Sequence, residues 1–491
     1  MENHAFLLLL ILTIPIVATL GIFLFRNTPN LREFVSLVAG FSVFSLSWTL
    51  FQKVRLNELV EWHLLDIIPG LSIHFKIDEL GAIFALVAGF LWIITTLYSI
   101  GYMRGHHEKN QTRFYICFAI AISAVLGVAY SENLFTLFVF YEVLTLSTYP
   151  LVTHAGTEKA KGGGRTYLGI LIGTSIVFLL PAIIITWLNA GTVSFTAGGV
   201  FSEGTSTTLL TILLILFIFG IGKAAIMPIH RWLPAAMLAP TPVSALLHAV
   251  AVVKAGVFSV LKVCVFIFGA ETLSSLDITQ LFIYLAGATI LISSLIAMRQ
   301  DNLKKRLAYS TISQLSYVIL GALLVSSLSV TGSALHIVMH AFGKITLFFC
   351  AGAILVASHK SNISEMRGLG RQMPVTMIAF FIASLSIIGL PPVGGTWSKW
   401  FLIMSTIEAE QLFLMSVLMI SSLLNIYYLL PIPIKAFMTQ ENTTEQNKGT
   451  PFFAIKEAPI ASVIAIVITT LCCLLLFIFP QSFVDMAQRI I

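Results

Sequence analysis

Apolar runs of about 20 residues recur along this chain, each closed by a short polar loop, and this pattern fixes the solvent the fold must suit. At helical rise, about 20 apolar residues cross the hydrocarbon core of a bilayer. Fourteen such runs can be marked in the 491 residues, with cores at 5–25, 34–52, 79–101, 113–130, 132–152, 166–188, 207–228, 242–267, 277–298, 306–326, 331–357, 373–390 continuing brokenly to 406, 411–434 and 459–480. Spans eight and eleven are long enough to hold a bend. The composition agrees: 57% of residues are hydrophobic and 10% charged, whereas a soluble domain carries about 25% charged residues. The sequence predicts an all-α polytopic membrane protein. The first run, Phe6 to Phe25, is long enough to span and has no small-residue cleavage site behind it, so it reads as a membrane helix rather than a secretory signal.

Orientation follows from the loops, because Lys and Arg accumulate on the cytoplasmic side. Alternate loops hold nineteen of them, from Arg26 and Arg32 through the Arg299, Lys304, Lys305, Arg306 group to Lys435, Lys448 and Lys456; the opposite loops and tail hold four: Lys53, Arg55, Lys76 and Arg489. The excess places the first set in the cytoplasm and both termini outside, in a bacterial inner membrane. The net charge of +6 is thus a topology signal, not a nucleic-acid patch.

Five cations are left over: Lys223, Lys254, Lys262, Lys344 and Lys399. Glu142 is the acid that lies squarely inside a span. Ionisable groups in hydrocarbon are costly and mark ion pathways. They coincide with broken helix. Gly220 to Gly256 carries three glycines, four prolines and two histidines at membrane depth, and Pro removes a helix donor while Gly loosens the helix. Breaks are expected at Gly220, Gly222 and Pro228 in span seven, and at Pro391, Pro392 and Gly394 in span twelve.

The two breaks belong to a repeat. YEVLTLSTYPL from Tyr141 resembles YSTISQLSYVI from Tyr309, matching Tyr141 to Tyr309 and Tyr149 to Tyr317. Gly/Pro-broken segments at corresponding places in two halves are a transporter pattern, with the site at the breaks. The expected units are an N-terminal three-helix segment (1–112), a first five-helix repeat (113–270), a second (271–437), and a cytoplasmic loop with the last helix (438–491). Five is odd, so the second copy runs upside down relative to the first.

Glu142 needs a cation or a proton at mid-membrane, and Lys223, beside the span-seven break, is its natural partner. His248 and Lys254 are six residues apart, about 240° around a straight helix, so they share a lining only if span eight is bent or locally π-helical. His336, His340 and Lys344 lie at i, i+4 and i+8, on one helix face. With no acid nearby and no HExxH, this stripe reads as titratable and hydrated rather than metal-binding. Lys399 is either the outward end of a path or an interfacial lysine beside Trp397 and Trp400. Lys262, near the far end of span eight, reads as snorkelling. The five cysteines show no CxxC spacing, and no GxGxxG or Walker pattern occurs, so no metal and no cofactor is expected.

FYEVLTLSTYPL, GKAAIMPIHRWLPAAMLAPTPVSALLHAVAVVKAG, HIVMHAFGK and GLPPVGGTWSKW together resemble the antiporter-like membrane subunits shared by complex I, membrane-bound hydrogenases and Mrp-type sodium/proton antiporters. The resemblance implies fourteen helices, inverted five-helix repeats and broken helices seven and twelve. It also implies a Glu142–Lys223 charge pair, Lys254 as central relay, Lys399 as terminal residue, and His248, His336, His340 and Lys344 along the axis between them. Within the family the chain looks most like the D-type membrane component of the Mrp antiporters, which implies H⁺ and a monovalent cation as its ions and other membrane subunits and the lipid bilayer as its partners. It departs from the family at Ala235 and Leu238, where acids are common, and at Ser310, the repeat equivalent of Glu142. A proton-pumping subunit of a redox complex, or a scaffold that moves no ion, are the competing readings.

Overall fold

The computed structural model describes residues 2–438 and 455–491; Lys448 and most of the expected cytoplasmic loop fall outside the described residues. Among the described residues, twelve helices are long and apolar enough to cross a membrane: α1 Ala5–Leu24, α2 Pro29–Arg55, α3 Glu79–Gly105, α4 Gln111–Ala129, α5 Leu134–Val152, α6 Glu158–Ala190, α8 Thr241–Ser275, α9 Asp277–Met298, α10 Leu303–Leu324, α11 Ser327–Ser358, α13 Leu412–Phe437 and α14 Ile460–Ile478. Two shorter apolar helices, α7 Thr207–Gly220 and α12 Pro374–Ile388, complete the expected fourteen. Each stops short because its span is broken.

Burial sorts these helices by role. α3, α8, α10 and α11 are almost wholly covered, whereas α1, α6 and α14 turn most of their surface outward. The outward faces carry Leu20, Leu188, Ile460 and Phe413 of α13. Water would penalise so much exposed apolar surface; lipid does not.

The α7 break follows from local chemistry. The helix stops at Gly220, the chain makes one 3₁₀ turn over Gly222–Ala224, and Ala225 sits at φ +56° before Pro228. Helical order resumes only briefly, at Trp232–Ala235. The Gly222 carbonyl accepts from the Ala225 N–H at 3.1 Å and from the Trp232 indole N–H at 3.0 Å, so the broken stretch finds backbone partners that hydrocarbon could not supply. In α12, Gly389 ends the first limb at φ +87°, a conformation glycine adopts without strain, and a second limb runs over Gly395–Glu408 after Pro391 and Pro392. The predicted breakers therefore stand at the breaks. α7 and α12 are each fourth in a run of five, α4–α8 and α9–α13.

One element departs from the all-α expectation. Glu61–Ile68 and Leu71–Lys76 form an antiparallel hairpin, β1 and β2, turned at Gly70 with φ +82°. The spacing of the spans leaves 53–78 as loop, and the hairpin's outward strand carries too mixed a pattern to signal itself. It holds β2 against α5: Thr136 Oγ1 accepts from the His74 N–H at 3.0 Å.

Candidate functional site

Span eight joins the halves, and it is irregular where the six-residue spacing requires. A π-helical turn occupies Leu246–Val250, and Ala251 leaves helical geometry at φ −110°, ψ −83°. His248 lies within the π-turn and Lys254 just beyond it, and both are buried. Gly256 explains how the helix lies so close to the α7 break: a Cβ there would stand 2.3 Å from the Lys223 carbonyl carbon. Any larger residue would push the two elements apart.

The Lys254 Nζ lies 2.6 Å from His340 Nδ1. Lys254 belongs to the first five-helix run and His340 to the second, so this contact crosses between them. On α11 the His340 ring stacks on His336 with centroids 5.6 Å apart, and His336 stacks in turn on Tyr317 of α10 at 5.5 Å. The far side of this cluster is Lys399, whose ammonium lies 4.8 Å from the Tyr317 ring centroid. His336 Nδ1 also meets Ser398 Oγ at 3.0 Å. Lys254, His340, His336, Tyr317 and Lys399 thus make one contiguous buried line.

Lys344 sits one turn beyond His340 and donates to Ser310 Oγ at 2.7 Å and to the Leu307 carbonyl at 3.3 Å. Lys399 donates to the Ile388 carbonyl and to Ser422 Oγ, each at 3.0 Å. The carbonyl is available because α12 ends there. Lys399 is buried within the chain.

Lys223 takes its direct contacts from groups other than the expected carboxylate. Its ammonium donates to the Tyr141 carbonyl at 2.8 Å and to Thr145 Oγ1 at 2.6 Å, and lies 3.1 Å from the Tyr141 ring centroid. Glu142 is the neighbouring charge that acts on Lys223, but without a direct hydrogen bond: neither of its carboxylate oxygens has a partner although both are buried. The reason is geometric. The break delivers Lys223 to the Tyr141 carbonyl and the Thr145 hydroxyl of α5, which take its N–H groups in place of the carboxylate. Lys223 is also not hydrogen-bonded to His248 or Lys254, so the structure does not bring it into the line above.

His248 Nδ1 and Nε2, His336 Nε2, His340 Nε2, Ser244 Oγ and both side-chain atoms of Gln314 are buried without a partner within the chain. Such groups cost about 1–3 kcal/mol each unless ordered water satisfies them. Their grouping on α8, α10 and α11 marks where water is needed. No three His, Cys, Asp or Glu residues cluster among the described residues, so these imidazoles lack the donor set of a metal site.

Sequence reasoning missed Tyr141, Thr145, Ser310, Tyr317 and Ser398, the hydroxyl residues that receive the lysines and imidazoles. The repeated Tyr/Ser/Thr motif is a usable signal for Tyr141, Ser310 and Tyr317. Lys262 departs from its expectation as well: it is buried and pairs with Asp78 of the α3 cap at 2.7 Å, so it does not snorkel.

A family model described as NADH:quinone oxidoreductase/Mrp antiporter, TM, matches residues 131–425. Another, described as NADH-Ubiquinone oxidoreductase (complex I), chain 5 N-terminus, matches residues 69–115. The NADH-quinone oxidoreductase subunit N of Desulforudis audaxviator is 30% identical over 442 residues, covering 89% of this chain and 87% of the relative. The NAD(P)H-quinone oxidoreductase chain 5 of Synechocystis sp. is 33% identical over 347 residues, covering 67% of this chain and 49% of the relative, so the chain spans about half the length of that protein. In fold, the chain matches one from the structure of the Mrp complex from Dietzia sp. with a TM-score of 0.87 at 20% identity, covering 100% of this chain and 97% of the other. It also matches a chain of an archaeal membrane-bound sulfane sulfur reductase with a TM-score of 0.85 at 22% identity, covering 98% and 96%.

Proposed function

The chain belongs to the NADH:quinone oxidoreductase/Mrp antiporter transmembrane family, and from that premise we propose that it is the proton-translocating subunit of a multisubunit monovalent cation/proton antiporter, most like the D-type component of the Mrp complexes. The observation that carries the reading is the 2.6 Å Lys254–His340 contact, because it gives a proton a direct step between the two five-helix runs. Lys and His both hold and release protons, and a hydrogen bond of this length is within transfer distance. From Lys254 the proton passes to His340 and His336 and leaves past Tyr317 at Lys399, while Lys344 is a side branch held by Ser310. In this reading His248 and Lys223 load Lys254.

Glu142 supplies the control. Lys223 rests on Tyr141 and Thr145, one residue and one turn from a carboxylate that has no partner of its own. A small swing of the ammonium makes the ion pair. A carboxylate and an ammonium at 4 Å attract by about 4 kcal/mol at an effective dielectric of 20, enough to bias two such arrangements roughly a thousandfold. Opening and closing the pair is therefore a sufficient switch for the proton on Lys223. The partners are other membrane subunits, the location is a bacterial inner membrane, and both termini face outside.

A proton-pumping role in a redox complex is the second reading, favoured by the 30% identical subunit N relative. Purifying the complex and assaying it in sealed vesicles separates the two. The antiporter reading expects small transport subunits alongside and collapse of an imposed pH gradient when Na⁺ or K⁺ is added. Co-purifying redox subunits, with a gradient built by reductant and insensitive to either cation, would overturn it.

A further inference from the structure

Ser310, Ser313 and Tyr317 recur at i, i+3 and i+7 along α10, and Ser421, Asn425 and Tyr428 at i, i+4 and i+7 along α13, so each set shares one helix face. The two faces meet in antiparallel register. Tyr428 Oη lies 2.9 Å from Ser310 Oγ, Ser313 Oγ lies 3.4 Å from Ser421 Oγ, and Tyr317 Oη donates to the Leu418 carbonyl at 3.1 Å. Ser294 of α9 joins the pairs: its Oγ lies 3.0 Å from Ser313 Oγ and 3.4 Å from Ser421 Oγ, and its hydroxyl also bonds the Tyr428 phenol. At the other end the Tyr317 phenol takes hydrogen bonds from Ser421 and Ser422.

A lysine stands at each end of this seam. Lys344 Nζ donates to Ser310 Oγ at 2.7 Å, and Lys399 Nζ to Ser422 Oγ at 3.0 Å. Ser310 to Tyr317 is a rise of roughly 10 Å, and hydroxyls cover it without an apolar interruption. Ser294, Ser310, Ser313 and Ser421 are wholly buried, and Tyr317 and Tyr428 nearly so. Part of their bonding is ordinary helix packing, since Ser294 and Ser313 also donate to the Ile290 carbonyl at 2.8 and 3.1 Å. A hydroxyl that donates keeps lone pairs to accept, so a row of them can take a proton at one end and give one up at the other. The seam meets the imidazole stack at Tyr317, whose ring packs on His336.

We propose that this hydroxyl seam is a second proton line, joining Lys344 to Lys399 beside the His340–His336 stack. Lys344 takes its proton from His340, four residues back on the same face of α11. A Lys344 N–H bond then breaks as a Ser310 O–H bond forms, and the hydroxyl proton that Ser310 already held passes to Tyr428. Ser294, Ser421, Tyr317 and Ser422 repeat the exchange in turn, each gaining one O–H bond as it gives up another. The last proton forms an N–H bond on a neutral Lys399 amine. The hydroxyls end as they began, while the ammonium at Lys344 has become an amine and the amine at Lys399 an ammonium. Lys344 is then a branch with an exit of its own.

The second line rests on the proton-translocation reading, and the test separates the two. Cation-driven pH change is measured in vesicles containing the whole complex, with wild type and Lys254→Ala as the reference pair; if both behave alike, the translocation reading itself fails. His336→Phe keeps a ring against Tyr317 but removes the nitrogens of the stack, and it is expected to retain part of the exchange, carried by the seam. Adding Ser421→Ala should take the remainder down to the Lys254→Ala level, roughly a further tenfold. Ser421→Thr in the same background keeps a hydroxyl and should match His336→Phe alone. Exchange already at the Lys254→Ala level in His336→Phe, or no further loss on adding Ser421→Ala, would overturn the proposal. Equal losses with alanine and threonine would make Ser421 a packing residue and overturn it too. Should the Ser421→Ala double variant fail to assemble, Tyr428→Phe replaces it, because the ring stays and only the hydroxyl is lost; exchange equal to that of His336→Phe alone would again overturn the line.

Discussion

In the first five-helix run the lysine at the break, Lys223, lies against α5 beside a buried carboxylate with no partner; in the second, Lys344 lies against the repeat-equivalent position of α10, where a serine hydroxyl receives it at 2.7 Å. The two lysines are held in the same manner, each by one hydroxyl and one backbone carbonyl of the opposing helix. What differs is the charge beside them. A carboxylate can attract, release and re-attract an ammonium, whereas a hydroxyl can only hold it. Tyr428 Oη donates to the same Ser310 Oγ at 2.9 Å, fixing the second site further. On the proposed function, the first run would supply the switch and the second, with its two stacked imidazoles and Tyr317, the conducting line.

That division orders the expected losses. On the proposed function, Lys254→Ala removes the amine that contacts His340 and should lower cation-driven exchange in vesicles to background, a loss of roughly a hundredfold or more (about 2.7 kcal/mol). If the halves work independently, part of the rate survives. Glu142→Ala should cost roughly tenfold or more while leaving assembly intact, because the helix keeps its Asn133 cap, with Asn133 Oδ1 accepting from the Thr136 N–H at 2.8 Å. Lys399→Ala should lose a few-fold only, roughly 1 kcal/mol or less, since the Lys254–His340 contact between the two runs is left in place. Ser310→Ala should stay within about twofold of wild type, since Lys344 retains the Leu307 carbonyl. Glu introduced at position 310 sharpens the comparison: if charge is what distinguishes the halves, Ser310→Glu should make exchange newly sensitive to substitution of Lys344.

Much of this was legible in the residues. Hydropathy marked the crossings because lipid admits only segments that satisfy their own backbone, and Gly220, Pro228, Pro391 and Gly394 marked the breaks because neither residue sustains a helix. The His248–Lys254 spacing demanded an irregular α8, and a π-turn lies there. The His336, His340, Lys344 stripe followed from helical periodicity alone. What stayed hidden depends on contacts between distant segments. Nothing near Lys262 announces Asp78, 184 positions upstream, and without that partner a lysine near a helix end reads as snorkelling. The Glu142–Lys223 pairing was read from charge, and Glu142 is the charge that acts on Lys223, but the direct contacts of the ammonium, with the Tyr141 carbonyl and ring, could not be read from sequence. Serine, threonine and tyrosine are common enough in membrane helices that their part as receivers of the ammonium groups could not stand out by type.

The most direct test of the division between the halves is a paired one. Exchange is measured in the same vesicle preparation for Glu142→Ala and Ser310→Ala complexes, at subunit amounts matched to wild type. The account predicts a loss of roughly tenfold or more for the first and a change within about twofold for the second. Equal losses at the two positions, or wild-type exchange by a fully assembled Glu142→Ala complex, would contradict it.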